Sequence, residues 1–224
     1  MIDTHTHLYA SQFESDRDEV FEKIFKSGVD KLIIPACHPV DLDKINELCK
    51  KYPDAVFPAK GLHPTEFRNL KESPLTVVEK MLAYEFSKPV VAIGEIGLDY
   101  HYNMHDNELQ KLVFEHQLSR AVELNLPVIL HIREAWSDDT FEILDKFKGK
   151  LTGVLHCFSG GFYEAKKVMD LGLYFGIGGV VTYKSAKSVA DLVKDYIPLD
   201  RILLETDSPY ITPVIPKKET RSKK

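Results

Sequence analysis

The chain has 224 residues, 44% of them hydrophobic and 28% charged, with a formal net charge of −5. That balance belongs to a chain that buries a large core and excludes a disordered polymer, while the negative charge excludes non-specific coating of nucleic acid. No apolar run reaches the ~18–20 residues of a membrane span, and no charged-then-apolar leader opens the chain. The three cysteines, Cys37, Cys49 and Cys157, lack paired spacing, so the expectation is reduced thiols in the cytoplasm.

In chain order, apolar runs of strand length are predicted at Met1–His7, Lys31–Cys37, Val56–Leu62, Val90–Glu95, Val128–Ile132, Thr152–Cys157, Tyr174–Gly179 and Arg201–Thr206. Helical patterns alternate with them near Ser15–Ser27, Val40–Lys51, Pro74–Phe86, His105–Leu124, Asp138–Lys148, Gly161–Leu171 and Ser185–Tyr196. Continuous apolar strands separated by helices indicate a parallel sheet covered on both faces. Eight such strands with seven crossovers predict an α/β fold, a TIM (β/α)8 barrel, as one domain over residues 1–213. No glycine-rich phosphate loop follows the first strand, which disfavours a dinucleotide-binding sheet. Residues 214–224 read as a basic, disordered tail; three prolines in Ser208–Pro216 prevent a helix there. Such barrels run to about 250 residues, so the final C-terminal helix is expected to be missing, with apolar surface exposed on the outer face of the first and last strands. A monomer is expected, with that surface as a route to self-association.

Five strands end in metal-capable side chains. In Asp3-Thr-His5-Thr-His7 the period of two puts His5 and His7 on one face. By the same parity Glu95 closes the row Val91, Ile93, Glu95, His131 follows Ile129, His156 follows Val154, and Glu205 and Asp207 follow Leu203. A carboxylate ending an apolar row is costly unless it meets a cation or a partner, so Glu95 reads as a ligand, with a salt bridge as the rival. Parallel strand ends converge at one barrel mouth, where His5, His7, Glu95, His131, His156 and Asp207 are expected to meet. Six donors exceed what one catalytic ion accepts while keeping an open position. Two divalent ions about 3.5–4 Å apart are therefore expected, bridged by Glu95. Glu95 and Asp207 are the catalytic candidates, Asp207 taking a proton from attacking water. Donor chemistry leaves Mg²⁺, Mn²⁺ and Zn²⁺ all open.

Around these donors, Asp3 and Glu205 are expected to orient imidazoles from behind, with barrel-interior salt bridges as the rival. Arg133 shares the parity of His131 and reads either as a bidentate phosphate grip or as a surface ion pair. His63, at the end of the third strand, reads as a hydrogen-bonding contact to substrate or as structural. Asp99 and Tyr100 follow Glu95, where an orienting acid and a base-stacking ring are the roles open to them. Tyr102 and Lys184 are loop candidates without an assigned role. His38, His101, His105 and His116 read as surface residues, Trp136 as packing or stacking, and Cys157 as a small hydrophobe facing the helices.

Taken together, Asp3-Thr-His5-Thr-His7, Gly61-Leu-His63-Pro64, Gly94-Glu95-Ile-Gly-Leu-Asp99-Tyr100, Pro127-Val-Ile-Leu-His131-Ile-Arg133, His156-Cys-Phe-Ser-Gly160 and Glu205-Thr-Asp207-Ser-Pro209-Tyr210 resemble the TatD-type deoxyribonuclease family of amidohydrolase-like barrels. The resemblance spans Met1 to about Pro213. It implies the barrel fold, the same six residues as metal ligands, and hydrolysis of phosphodiester bonds in DNA, often as a 3′-to-5′ exonuclease on single strands. The family's Gly-Lys-Arg-Asn-like segment and final helix are absent after Thr212-Pro213. The expected mechanism is attack on phosphorus by a hydroxide activated between two metals, with Arg133 offsetting the growing negative charge. The rival functions are hydrolysis of a small phosphoester or an aminoacyl-tRNA ester, and an inactive, shortened family member.

Overall fold

The computed structural model describes residues 1–102, 107–136 and 138–215. Eight parallel strands lie in chain order around one sheet: β1 (Ile2–Asp3), β2 (Lys31–Ala36), β3 (Val56–Lys60), β4 (Ala92–Asp99), β5 (Val128–Arg133), β6 (Gly153–Leu155), β7 (Tyr174–Ile177) and β8 (Ile202–Leu204). The first and last are joined just beyond their ends. Thr4 N–H donates to the Leu204 carbonyl (3.0 Å), Asp207 N–H to that of His5 (2.9 Å), and His7 N–H to that of Ser208 (2.7 Å). This is the predicted TIM barrel.

Among the described residues seven α-helices occupy the crossovers: α1 (Arg17–Lys26), α2 (Leu42–Lys51), α3 (Pro74–Ala83), α4 (Asn107–Leu124), α5 (Asp138–Asp145), α6 (Phe162–Asp170) and α7 (Lys187–Asp195). Local chemistry fixes their starts. Before α3, the Ser73 hydroxyl accepts from Thr76 N–H (3.2 Å) and Pro74 takes the first helical position, the pairing that satisfies an otherwise orphaned donor. Among the described residues no helix follows β8, and no helix is long and apolar enough to cross a membrane. Of the apolar surface expected on the outer face of the first and last strands, Leu204, opposite in parity to the interior Leu203, is 54% exposed, whereas Ile2, 48% exposed, pairs with Lys31 and shares the inward parity of Ile33. The predicted start of α4 at His105, and most of the predicted tail, lie outside the described residues.

The barrel interior is filled by one layer drawn from seven strands: Ile33, Ala59, Ala92, Ile129, Val154, Tyr174 and Leu203. Their neighbours in sequence, such as Leu32, Ile93, Leu130 and Leu155, face outward into two apolar clusters against the helices. The expected parity holds on β5, β6 and β8 and fails on β4. There Ala92 is the interior residue, whereas Ile93 joins the outer cluster. Pairing with β5 shifts register between Ile93 and Ile96, and this irregularity, of the kind that re-aims side chains near active sites, carries Glu95 back inward. Glu95 therefore lies inside β4, which runs on to Asp99, rather than ending a regular alternation.

Candidate metal centre

Above the interior layer, the strand ends open into a cavity of about 1300 Å³. Its floor is built around Glu95, 3% exposed. Glu95 Oε1 lies 2.8 Å from His131 Nδ1, 3.5 Å from His63 Nε2 and 3.8 Å from His156 Nε2. Glu95 Oε2 lies 3.3 Å from His5 Nε2 and 3.8 Å from His7 Nε2. Asp207 Oδ1 closes the ring at 3.2 Å from His7 Nε2 and 3.7 Å from both His5 Nε2 and His156 Nε2. The six expected donors are thus brought together, and His63 joins them.

Metal-capable groups with donor atoms within 4.8 Å of one another are His5, His7 and Glu95; His63, Glu95 and His131; and His5, His156 and Glu205. Glu95 belongs to two of these. The His5 and His7 Nε2 atoms face each other at 3.0 Å, and the His5 ring stacks on that of His156 with centroids 3.5 Å apart. Imidazole nitrogens and carboxylate oxygens so crowded and so buried fit a divalent cation, which supplies the positive charge the acids lack. Burial, aided by the neighbouring His156, lowers the His5 pKa to about 4, keeping that ring a neutral donor. Burial opposes ionisation of Glu95, but the surrounding His5 and His63 outweigh it and hold the carboxyl well below its ordinary value. For His156 burial also opposes charging, and Glu205 outweighs it, raising the imidazole to about 10.

Behind the donors stand residues that aim them. Glu205 Oε1 lies 3.0 Å from His156 Nδ1, close enough to pair though out of line for a hydrogen bond, and it accepts the Cys157 N–H at 2.6 Å. Asp99 Oδ2 is 3.0 Å from His131 Nε2. Both carboxylates thus stand against the imidazoles they were expected to orient. Asp3 does not. Its carboxylate accepts the backbone N–H groups of His5 and Thr206 and the Thr206 hydroxyl (3.2, 3.0 and 2.7 Å), tying the first strand to the last, and burial pushes it up to about 6. His63 Nδ1 accepts the Thr65 N–H at the start of a 3-10 turn, which turns Nε2 toward Glu95.

Three further expectations change. Cys157 has φ +47° and borders the cavity, because the chain has left β6 and strand parity no longer applies. Tyr100 packs against the core instead of offering a stacking ring, and Tyr102 is the exposed one. His38 borders the cavity and caps a 3-10 turn. His101 and His116 pair with Glu134 and Glu79 at the surface (2.6 and 2.7 Å); His105 lies outside the described residues. Trp136 packs, its ring 5.5 Å from that of Phe158, and Lys184 is exposed on a short turn. Arg133 lies on the cavity wall and donates to the Tyr102 hydroxyl at 3.2 Å.

Several supporting residues carried no sequence signal that was used. The Tyr9 hydroxyl lies 3.3 Å from His7 Nδ1, and the parity that paired His5 with His7 also reaches Tyr9. The Cys37 thiol donates to Glu95 Oε2 at 3.6 Å. On α4, Gln110 exchanges two hydrogen bonds with the Asp99 backbone (2.8 and 2.9 Å) and Gln117 two with that of Leu62 (2.8 and 3.0 Å). These clips hold the ends of β4 and β3 where Asp99 and His63 are needed.

A parallel barrel with buried histidines and acids clustered at its mouth defines a metal-dependent hydrolase. Residues 2–224 match the profile of the family described as TatD related DNase, and the chain belongs to that family. It is 36% identical over 213 residues to the metal-dependent hydrolase YabD of Bacillus subtilis, covering 95% of this chain and 82% of that protein. It is 34% identical to the 3′-5′ ssDNA/RNA exonuclease TatD of Pantoea ananatis, covering 95% and 81%. The crystal structure of YJJV, a TatD homolog from Escherichia coli, superposes with a TM-score of 0.83 at 32% identity, covering 96% of this chain and 81% of that one.

Proposed function

We propose that this hydrolase cleaves phosphodiester bonds of single-stranded DNA, from the 3′ end, at a centre holding two divalent ions. The observation that carries the reading is Glu95, whose two oxygens face different sets of imidazoles, His131, His63 and His156 on one side and His5 and His7 on the other. His5, His7 and Asp207 would hold one ion and His131 and His156 the other, with Glu95 shared. Two such ions, when bound, polarise a phosphoryl oxygen and make water acidic enough to attack at neutral pH.

The remaining work belongs to the chain. Asp207 is held below its ordinary pKa because, against the opposing effect of burial, His7 stabilises its charged form. It is thus an anionic acceptor at the mouth, placed to take the proton of the attacking water. Glu205 and Asp99 fix the His156 and His131 rings, so the donors need not reorganise as charge builds. Arg133 on the cavity wall meets the substrate's phosphate, and His63 steadies a second oxygen. The free thiols of Cys37, Cys49 and Cys157 fit a reducing cytoplasm.

The test is hydrolysis of single-stranded oligonucleotides labelled at either end, with Mg²⁺ or Mn²⁺ added to chelator-treated protein. Stepwise shortening from the 3′ end, strongly reduced in Asp207→Asn, is expected. Metal-independent cleavage, or wild-type rates in Asp207→Asn, would rule the reading out.

A further inference from the structure

Arg133 stands two residues beyond His131 on β5, about 7 Å further out along the strand, at the rim of the cavity. Its Nη1 donates to the Tyr102 hydroxyl, and its guanidinium carbon lies 5.0 Å from the Tyr102 ring centroid. The His101 ring meets that of Tyr102 in a T-shaped contact, with centroids 4.7 Å apart. His101 is itself held by Glu134, 2.6 Å from its Nδ1. Tyr102 is therefore held by the Arg133 guanidinium, which lies over its ring and bonds its hydroxyl, and by the His101 ring, yet it stays 51% exposed and borders the cavity. Nothing in the metal centre requires a ring there, and Tyr100 already serves the core.

A pre-positioned aromatic face beside a guanidinium is the pairing that single-stranded nucleic acid uses. A base stacks on the ring, and the adjoining phosphate meets the cation. A guanidinium has five N–H donors, so its bond to Tyr102 is compatible with a phosphate contact. We propose that Tyr102 is a stacking platform for the nucleobase next to the scissile phosphate, with Arg133 spanning from that ring to the backbone. The inference rests on the nuclease reading above and sharpens it. Because every base has a π-face, the platform confers preference for base-bearing diesters without preference for sequence.

Two strands of equal charge separate base from backbone: an octamer of thymidine nucleotides and an octamer of abasic residues. Their KM values are compared during hydrolysis with Mn²⁺. Their binding to chelator-treated, metal-free protein is compared by fluorescence anisotropy at low salt. Wild type should favour the thymidine strand, and Tyr102→Ala should shrink that preference by about five-fold or more, the effect of losing one stacked base. Tyr102→Phe, which keeps the ring, and Tyr102→Trp should retain it. A thermal melt of Tyr102→Ala matching that of wild type shows that the lost preference reflects the ring and not the fold. Equal treatment of the two strands by wild type, or an undiminished preference in Tyr102→Ala, overturns the platform while the nuclease reading stands. If wild type neither binds nor hydrolyses either strand, the nuclease reading falls, and the platform with it.

Discussion

Replacing Glu95 with alanine removes the carboxylate that belongs to two of the three donor groups, as His5 also does. Losing a residue that merely orients a ligand typically weakens metal binding 10- to 100-fold, so losing a shared ligand should weaken it at least 100-fold. The consequence for stability follows from linkage. Counting one ion only, with free metal at 100 times its wild-type Kd, binding stabilises the fold by about 2.7 kcal/mol; with affinity reduced 100-fold the same concentration contributes about 0.4 kcal/mol. For a chain of this size each kcal/mol moves Tm by roughly 2–4 °C. Metal should therefore raise the wild-type Tm by about 5–10 °C and that of Glu95→Ala by no more than about 2 °C. The assay is thermal unfolding of chelator-treated protein with and without Mn²⁺ or Zn²⁺, alongside elemental analysis of reloaded protein. Wild type should hold two ions and the variant fewer. An equal Tm gain in both proteins, or full stoichiometry in the variant, would falsify the shared-ligand assignment.

Other consequences can be checked separately. A Cβ at Gly176 would sit 2.3 Å from Glu205 Oε2, so Gly176→Ala should displace the carboxylate that pairs with His156 and cost about 1–3 kcal/mol. Its unfolding curve and metal affinity should both change, and a wild-type Tm with wild-type affinity would refute the contact. Tyr9→Phe deletes the hydroxyl beside His7 Nδ1 and should weaken metal binding about ten-fold; unchanged affinity in a chelator competition would dismiss the role. Burial pushes the Cys49 thiol up to about 11. Well below pH 9 the thiol is protonated whether the chain is folded or not. Between pH 9 and 11 the unfolded chain loses that proton first, so stability drains away as pH rises, by about 2–3 kcal/mol in all. Denaturant titrations of wild type and Cys49→Ala should diverge over that interval, and parallel curves would contradict it.

The barrel, and the convergence of most of the six candidate side chains, were legible because both rest on periodicity. Apolar runs separated by helical patterns are a global signal, and a period of two carries His131, His156 and Glu205 inward wherever the strand is regular. Glu95 was named through an alternation that β4 does not follow. The register shift after Ile93 depends on pairing with β5, which no local pattern reports. Asp3 looked like a partner for imidazoles because it sits beside them in sequence, but its oxygens are taken by Thr206, some 200 residues away. The same limit hid Gln110 and Gln117, which read as ordinary polar positions on a long helix until the ends of β3 and β4 are set against them. Lys60 is a further case. Its ammonium caps the Leu82 and Tyr84 carbonyls at the end of α3 (2.6 and 2.7 Å), a contact visible only once strand and helix are packed.

The junction of the first and last strands has a consequence for how the enzyme fails. His5 and His7 come from one side of that seam and Asp207 from the other, with His7 Nε2 and Asp207 Oδ1 3.2 Å apart. An ion held between them, as proposed, would be a rivet through the joint of the barrel, set beside a handful of backbone bonds and the Asp3 tie. Stripping the centre and loosening the cylinder would then be a single event, and the amide protons of residues 4–7 would report it as sensitively as any measurement of turnover.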